Sequence, residues 1–334
     1  MKNRARMKLE ASMKIGILGA GSIACKMAST IRLMSQELWA IGSRSLVKAE
    51  AFARKFDIPC AYGSYEELAS DPEVQLIYIA TPHSAHLENI LLCLENGKNV
   101  LCEKAFTLNA EQARKACLLS EKKGLLLAEA IWTRYLPSRL IIDECLKEIG
   151  DIRMLTANLS YCISTVERLT NPSLGGGALL DVGVYPLNFM AMCLGTGYES
   201  MQTSAALVGG VDQQHSITYV YPKGAIASIF GGTQFNSDQR GLIYGTEGSI
   251  EVENINNPTS ISLFDKQCQL IRRIDAPKQL TGFEYEVQAC IDAINKGLTE
   301  CSQMPHAMTI AMMEMMDAVR SRWHMSYPGE LDNK

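Results

Sequence analysis

Lys104, Asp181 and Tyr185 have side chains that could carry out proton-transfer chemistry. Cys102-Glu103-Lys104 directly follows an apolar strand pattern, and Asp181 and Tyr185 lie four positions apart in a helical segment that follows a glycine run. Residues i and i+4 share one helix face, so the carboxylate and the phenol could reach the same substrate. A lysine close to a substrate hydroxyl can donate a hydrogen bond to it and lower its pKa. Tyr185 could equally be a core or interface tyrosine, and the charged pair a solvated turn.

A glycine-rich turn near the start of the chain predicts a dinucleotide site. The apolar run Lys14–Leu18 leads into Gly19-Ala20-Gly21-Ser22-Ile23-Ala24, which has the form G-x-G-x-x-A. Gly19 permits the tight turn, and Gly21 lets the backbone approach a pyrophosphate. The free N–H groups where the helix begins, at Ser22 and Ile23, would hold the phosphates. A tight strand-to-helix turn without a ligand is the alternative.

The next strand tip favours NADP over NAD, which stays possible. After Leu38–Gly42 come Ser43 and Arg44, and no acid is present to accept from the 2′-hydroxyl of NAD. A small hydroxyl and a guanidinium fit a 2′-phosphate instead. Lys48, one turn further, could be a second phosphate contact or an ordinary surface lysine, and Arg44 could be a solvated charge.

A further group of polar residues follows another predicted strand of the first part of the chain. Thr81-Pro82-His83 lies at its carboxyl end, where ligands bind in parallel sheets, and His86 comes three residues later. Two histidines at this spacing could bind a metal, but no nearby Cys, Asp or third His completes a ligand set. We therefore predict no metal site and a loop that faces the cofactor. His86 could equally be a packing histidine.

The hydrophobic patterns predict an α/β fold in two parts. Strand and helix patterns alternate over 13–134, which is typical of a Rossmann domain with a doubly wound parallel sheet. From Ile152 longer strand patterns follow one another, which predicts an α+β domain over 135–334 with a large, mostly antiparallel open sheet. Two late helices are expected at Phe283–Lys296 and Ala307–Met325. The strands expected in the second part are Met154–Ile163, Met201–Val208, Ser216–Tyr221, Ala225–Phe235, Leu242–Tyr244 and Ser249–Glu253.

Composition narrows the class of protein. The chain has 334 residues, a formal net charge of −4 and eleven cysteines. That charge gives no electrostatic footprint for nucleic acid, and no apolar run approaches the length of a membrane span. An odd number of cysteines in apolar segments indicates reduced thiols and a cytoplasmic protein. Residues 1–12 are basic without an apolar core and are expected to be a disordered extension, with Met1 or Met13 as the natural start.

Taken together, these motifs resemble the glucose-fructose oxidoreductase, inositol dehydrogenase and rhizopine-catabolism family (Gfo/Idh/MocA) from about Met13 to Glu330. Within the family, three segments are most similar to the NADP-dependent, dimeric trans-dihydrodiol dehydrogenases. The matching pieces are the glycine turn, Thr81-Pro82, Glu103-Lys104, Gly176–Asp181 with Tyr185, and Gly245-Thr246-Glu247-Gly248; the three segments are 61–68, 129–134 and 176–181.

The resemblance implies a role for each matching residue. Lys104 would lie beside the reacting carbon, Tyr185 would donate and accept the proton, and Asp181 would orient the substrate or Lys104. Trp132 and Arg134 of the matching 129–134 segment, and Glu103, would contact the cofactor. We also expect the charge of Lys104 to lower the pKa of Tyr185.

Two positions depart from the family pattern. Ala105 replaces the usual proline after the lysine, and Asn188 stands where many relatives have an acid.

The expected activity is hydride transfer between nicotinamide C4 and a hydroxyl or carbonyl of a sugar, polyol or trans-dihydrodiol. The alternatives are a non-catalytic dinucleotide-sensing regulator and a sugar-to-sugar oxidoreductase with a tightly bound cofactor. A homodimer is expected through the open face of the second sheet, because Ala225–Phe230 is apolar on both alternating faces. Larger assemblies are the alternative.

Overall fold

The computed structural model describes residues 12–330. Six strands in its first part form one parallel sheet, and the predicted fold class is confirmed: β1 (Lys14–Leu18), β2 (Glu37–Gly42), β3 (Cys60–Tyr62), β4 (Leu76–Ile79), β5 (Asn99–Glu103) and β6 (Leu127–Ala130). Their order is β3-β2-β1-β4-β5-β6. The carboxyl ends of all six strands therefore meet along one edge, with the switch point between β1 and β4.

Five helices connect these strands, and local sequence sets their ends: α1 (Ser22–Leu33), α2 (Leu46–Phe56), α3 (Tyr65–Ser70), α4 (His86–Glu95) and α5 (Ala110–Lys123). The Asn109 side chain accepts from the Gln112 N–H at 2.9 Å and so begins α5. Gly124, with φ +65°, ends it.

A second sheet of eight strands makes up most of the rest of the chain: β7 (Ile152–Ser160), β8 (Ser200–Val208), β9 (Val211–Val220), β10 (Ile226–Gly232), β11 (Gly241–Gly245), β12 (Gly248–Glu253), β13 (Ser260–Asp265) and β14 (Leu270–Asp275). The order is β14-β13-β12-β11-β7-β10-β9-β8. All neighbours are antiparallel except β7 and β10, which are parallel. The expected mostly antiparallel sheet is present.

Five further helices flank or follow this sheet: α6 (Ser138–Leu146), α7 (Glu167–Thr170), α8 (Val184–Leu194), α9 (Glu284–Asn295) and α10 (His306–Arg322). Helix α8 packs on β7 and β10, whereas α9 and α10 return to the first domain and pack on α1, β5 and α5. The backbone N–H of Ala110 donates to Asp317 Oδ2 at 2.8 Å, and Leu127 N–H donates to Thr299 O at 3.0 Å. The two parts of the chain are thus joined by the end of the sequence as well as by the segment after β6.

One apolar segment is long enough to be compared with a membrane span. Pro172–Leu194 passes the length and hydropathy test for a membrane span, with a mean hydropathy of 1.4, so the expectation that no run approaches that length is wrong. However, 78% of the most apolar window is buried inside the protein. That burial is typical of a core helix, and the segment is weak support for insertion into a bilayer.

Several element boundaries differ from the sequence expectations. The sequence alone would extend the apolar run Leu125–Leu127 into the sixth strand, but β6 begins at Leu127. Leu125 still bonds to the end of α5 through its N–H to Ser120 O at 3.1 Å. Strands β3, β13 and β14 and helix α6 were not expected. Strand β14 reads Leu-Ile-Arg-Arg-Ile-Asp and is largely exposed at the sheet edge, so it lacks the apolar alternation that marks a half-buried strand.

All eleven cysteines are free thiols in the structure. Cys290 and Cys301, both buried, approach each other to 3.9 Å between their sulfur atoms. The predicted extension at 1–12 lies outside the described residues except for Ser12.

Candidate active site

A cleft of about 810 Å³ lies between the carboxyl edge of the parallel sheet and the second sheet. Its walls bring together residues that are far apart in the chain. From the first part come Gly21, Ser22, Ile23, Lys26, Ser29, Ala80, Thr81, Pro82, His83, Glu103, Lys104, Ala130 and Trp132; from the second come Tyr161, Ile163, Arg168, Leu174, Asp181, Val182, Tyr185, Asn256, Thr281 and Phe283.

The glycine turn has the geometry expected of a phosphate cradle. Gly19 has φ +105°, and a Cβ there would lie 2.8 Å from Ala80 O, so only glycine fits this turn. A Cβ on Gly21 would meet no atom within 4 Å, which leaves its backbone open towards the cleft. Within the part of the chain that the structure describes, no side chain caps α1, whose first intrahelical bond is Cys25 N–H to Gly21 O at 3.2 Å. The preceding N–H groups are therefore available to an anion. Gly19 shapes the turn without lining the cleft.

Ser43, Arg44 and Lys48 lie apart from the main cleft, at the tip of β2 and in the first turn of α2. Ser43 is buried and donates its N–H to Tyr62 O at 3.2 Å. Arg44 is exposed beside Tyr65 and forms no ion pair with any residue in 12–330. Lys48 is also exposed.

The loop after β4 contributes to the cleft through three of its four expected residues. Thr81, Pro82 and His83 line it. His86 does not: it is fully buried, with Nε2 2.9 Å from Thr81 O and Nδ1 2.9 Å from Ala105 O. This position favours the packing alternative for His86 over a cofactor contact. Its ring links the loop after β4 to the segment after Lys104.

His83 is held neutral by its surroundings. Its Nδ1 lies 2.8 Å from Gly175 O. Burial, with the nearby charges of His86 and Lys104, lowers the pKa of His83 to about 3. Within the described residues no cluster of three His, Cys, Asp or Glu side chains could hold a metal ion.

Lys104, Asp181 and Arg168 form a compact charged group in the cleft. The Lys104 ammonium donates to Asp181 Oδ1 at 2.9 Å and to the Asp181 carbonyl at 2.7 Å. Arg168 Nη1 donates to the same Oδ1 at 2.8 Å. Burial alone would raise the pKa of Asp181, but the charges of Lys104 and Arg168 outweigh it and hold that pKa well below its usual range. Asp181 therefore stays ionised and orients Lys104.

Glu103 fixes the backbone from which Lys104 projects. It is buried, accepts the Tyr78 hydroxyl through Oε1, and accepts the Lys104 N–H through Oε2 at 3.2 Å. The Lys104–Ala105 peptide bond is cis, and Ala105 is fully buried. Burial raises the pKa of Glu103, against the opposing charge of Lys104.

Tyr185 shares the cleft with Lys104, whose ammonium is 5.3 Å from the centre of the phenol ring. The preceding turn, Leu179–Gly183, is a π-helical turn that carries Asp181, and α8 continues from it with Tyr185. The expectation of a lowered tyrosine pKa is wrong for the free protein. Burial first, and then the charges of Glu103 and Asp181, raise the pKa of Tyr185 well above its usual value. The carboxylate of Asp181 already balances the positive charge of Lys104, so that charge does not favour the phenolate form of Tyr185.

Trp132 and Arg134, for which the resemblance implies a shared cofactor contact, line two different cavities. Trp132 lines the cleft, stacks on Phe283 with ring centres 4.5 Å apart, and donates its Nε1–H to Asn256 Oδ1 at 3.1 Å. Arg134 instead points to a second cavity and donates its Nε–H to Asn188 Oδ1 at 2.5 Å. The expected cofactor contact by Arg134 is thus not supported by its position.

Sequence reasoning missed Arg168, Asn256, Thr281 and Phe283. Arg168 lies in the short helix α7, Phe283 directly precedes α9, and Asn256 and Thr281 lie in loops. None of the four carries a local motif. The Thr281 hydroxyl lies 2.7 Å from that of Thr30, which attaches its segment to α1.

Comparison with known proteins places this architecture in one family. The Gfo/Idh/MocA family model described as "Oxidoreductase family, NAD-binding Rossmann fold" matches residues 13–130. The model of the Gfo/Idh/MocA C-terminal domain matches residues 144–251. The trans-1,2-dihydrobenzene-1,2-diol dehydrogenase of Mus musculus is 32% identical over 95% of this chain and 98% of its own length. The enzyme of that name from Xenopus tropicalis is 34% identical over 94% and 99%.

A solved structure supports the same fold. A 3-ketoreductase from Actinomadura kijaniata, in complex with NADP and TDP-benzene, superimposes with a TM-score of 0.82 at 23% identity, over 93% of this chain and 97% of that one. The chain belongs to the Gfo/Idh/MocA family of NAD(P)-binding oxidoreductases.

Proposed function

We propose that this dehydrogenase uses NADP(H) to transfer a hydride between nicotinamide C4 and a hydroxyl or carbonyl of a sugar, polyol or trans-dihydrodiol. One observation carries the proposal: the open N-terminus of α1, the Lys104 ammonium and the Tyr185 phenol all face one cleft of about 810 Å³. Relatives that are about a third identical over nearly their full length are named dihydrodiol dehydrogenases, which supports this substrate class.

The chain's own residues fit a dinucleotide. The first N–H groups of α1, beside Gly21, would bind the pyrophosphate. Arg44 supports NADP over NAD, because it is exposed and forms no ion pair within 12–330, and so its guanidinium is free to bind a 2′-phosphate. The bound cofactor would supply the hydride acceptor or donor.

Lys104 would act on the oxygen of the reacting carbon. Asp181 holds its ammonium from one side at 2.9 Å, which leaves donor capacity for a substrate oxygen. A positive charge there stabilises negative charge that develops on this oxygen during hydride transfer. Asp181 is thus a positioning residue for Lys104.

Tyr185 would exchange the proton. In the reducing direction its neutral phenol gives a proton to the carbonyl oxygen as the hydride reaches carbon. In the oxidising direction the phenolate accepts the hydroxyl proton as the hydride leaves. The raised pKa of Tyr185 keeps its phenol neutral around neutral pH, which is the form that donates the proton in reduction.

We also propose a homodimer through the outer face of the second sheet. Ile226 and Phe230 on β10 are each 38% exposed, and Tyr244 on β11 is 42% exposed. Met154 of β7 pairs with both Ile226 and Tyr244, so these apolar side chains lie on neighbouring strands. Such a patch needs cover by a partner. The free thiols support a cytoplasmic location.

The deciding experiment follows the absorbance of reduced nicotinamide with purified protein, NADP or NAD, and a panel of aldoses, polyols and trans-dihydrodiols. Turnover of one substrate class with NADP supports the proposal. Binding of the dinucleotide without turnover of any substrate would favour the regulator. Turnover only by exchange between two sugars, with cofactor that survives dialysis, would favour the sugar-to-sugar oxidoreductase.

A further inference from the structure

A second cavity of about 490 Å³ lies outside the cleft, against the start of α6 and one side of α8. Its walls are apolar apart from two arginines, one acid and one amide. The lining includes Arg134, Leu136, Arg139, Leu140, Asp143 and Met192.

Arg134 brings a buried charge to this cavity and forms no ion pair with any residue in 12–330. Only 9% of the residue is exposed, and its Nε–H is bound by Asn188, which is neutral. Its Nη2 is buried and has no hydrogen-bond partner among residues 12–330. A buried charged donor without a partner costs several kcal/mol by order of magnitude, so a ligand that satisfies it is strongly favoured.

Arg139 adds a second guanidinium to the same wall. Its Nη2 donates to Asp143 and to Met192 O at 2.8 Å. Its Nη1 is buried and also lacks a partner in the described part of the chain. Burial lowers the pKa of Arg134 to about 10, and the charge of Arg139 contributes to that shift, so the two cations are close enough to repel each other.

The charges around the cavity do not balance. Among the described residues that line it, Asp143 is the only acid, and it already pairs with Arg139. Burial raises the pKa of Glu129, behind Arg134, to about 7, so that carboxyl is only partly ionised at neutral pH. Two guanidiniums thus face one paired carboxylate, which leaves a positive surplus in an apolar pocket.

We propose that this cavity is a binding site for a small organic anion, whose carboxylate or phosphate lies between Arg134 and Arg139. Guanidinium groups bind both oxyanions through paired N–H donors. The apolar wall formed by Leu136, Leu140 and Met192 would hold a short hydrocarbon portion of the same ligand. The cavity shares no lining residue with the hydride-transfer cleft.

The site has a direct route to the catalytic helix. Asn188, which binds Arg134, lies on α8 three residues after Tyr185 and donates to Val184 O at 2.9 Å. An anion that draws Arg134 towards the cavity would act on the same turn of α8 that presents the phenol.

The test measures binding of inorganic phosphate and of butyrate to the full chain, by calorimetry and by thermal unfolding, at constant ionic strength with chloride as the reference. We expect saturable binding and a rise in Tm with at least one of them. Saturation by phosphate alone identifies a phosphorylated ligand, and saturation by butyrate alone identifies a carboxylate. Saturation by neither overturns the proposal.

Two variants locate the bound anion. Arg139→Gln should weaken binding by about 10-fold or more, since it removes a charge-assisted donor. Leu140→Glu places a negative charge at the mouth on a residue that is 70% exposed, so it should fold normally and abolish binding. Arg114→Gln, a surface arginine paired with Glu314, is the matched control and should bind as the unmodified chain does. Unchanged binding in both cavity variants would overturn the assignment.

Discussion

Lys104 and Asp181 form an ion pair across the cleft, with 2.9 Å between Nζ and Oδ1. Their side chains are only 13% and 6% exposed, so the pair is mostly shielded from solvent. Lys104 follows the parallel sheet, whereas Asp181 lies in the π-helical turn before α8. The pair therefore fixes the position of the second part of the chain relative to the cofactor edge, and it compensates the lysine charge before substrate arrives.

Tyr185→Phe should reduce kcat by about 10²- to 10⁴-fold, because general acid–base catalysis contributes that much, while cofactor affinity stays unchanged. Lys104→Met should be at least as damaging, since it also removes the charge next to the reacting oxygen. Tyr198→Phe, which alters a tyrosine that packs on Tyr219, is the control. Near-normal kcat in both cleft variants would place the catalytic centre elsewhere.

The two directions of the reaction should respond differently to pH. Because burial raises the pKa of Tyr185, the phenol stays protonated through neutral pH. Reduction needs that proton, so its kcat should be nearly constant around neutrality. Oxidation needs the phenolate, so its kcat should rise as pH increases into the alkaline range. Stopped-flow rates in both directions test this, and an oxidation rate that falls with rising pH would contradict the role of Tyr185.

Arg44→Ala should weaken NADP binding by about 10- to 150-fold, which corresponds to the roughly 1.5–3 kcal/mol of a charge-assisted hydrogen bond. NAD has no 2′-phosphate, so its affinity should hardly change. Arg54→Ala is the control, because Arg54 lies in the last turn of the same helix and is exposed. Isothermal titration measures the affinities of the unmodified chain and of both variants for NADP and for NAD. Equal affinities of the unmodified chain for NADP and NAD would refute the preference.

The parts of the site that sequence could predict are those in which one short segment sets the geometry. The glycine turn, Glu103-Lys104 and the Asp181 to Tyr185 spacing each follow from the end of one strand or the face of one helix. Arg168 and Phe283 reach the cleft only because separate segments of the second part fold over it, and no local pattern encodes that. The direction of Arg134 depends on Asn188, a residue on α8, so no pattern within 129–134 predicts it.

Phe230→Arg should convert the proposed dimer into a monomer. The substitution puts a charge in the middle of the outward apolar patch on β10, and burying an unpaired charge at an interface costs several kcal/mol by order of magnitude. Leu118→Arg changes a residue that is 67% exposed on α5, away from this sheet, and should leave the assembly intact. Light scattering at micromolar concentration measures both. A monomeric unmodified chain would remove the dimer proposal.

Arg168→Gln should impair substrate binding and shift the acid limb of the pH profile, and the two effects have separate causes. The Arg168 side chain is 45% exposed in the cleft while it binds Asp181, so its remaining donors can reach substrate oxygens. Losing a charge-assisted contact should raise KM by about 10-fold or more.

The same arginine helps to hold the pKa of Asp181 low against the effect of burial. Without it that pKa rises, so Asp181 becomes protonated at a higher pH on acidification and releases Lys104. The acid limb of kcat should therefore move to higher pH, an effect that a purely structural residue would not produce. Arg168→Lys keeps the charge and should restore much of the acid limb but less of the KM, because an ammonium lacks the paired donors of a guanidinium. Arg153→Gln, on an exposed arginine of β7, is the control. If KM and the acid limb are both unchanged in Arg168→Gln, Arg168 neither binds the substrate nor helps to hold the pKa of Asp181 low.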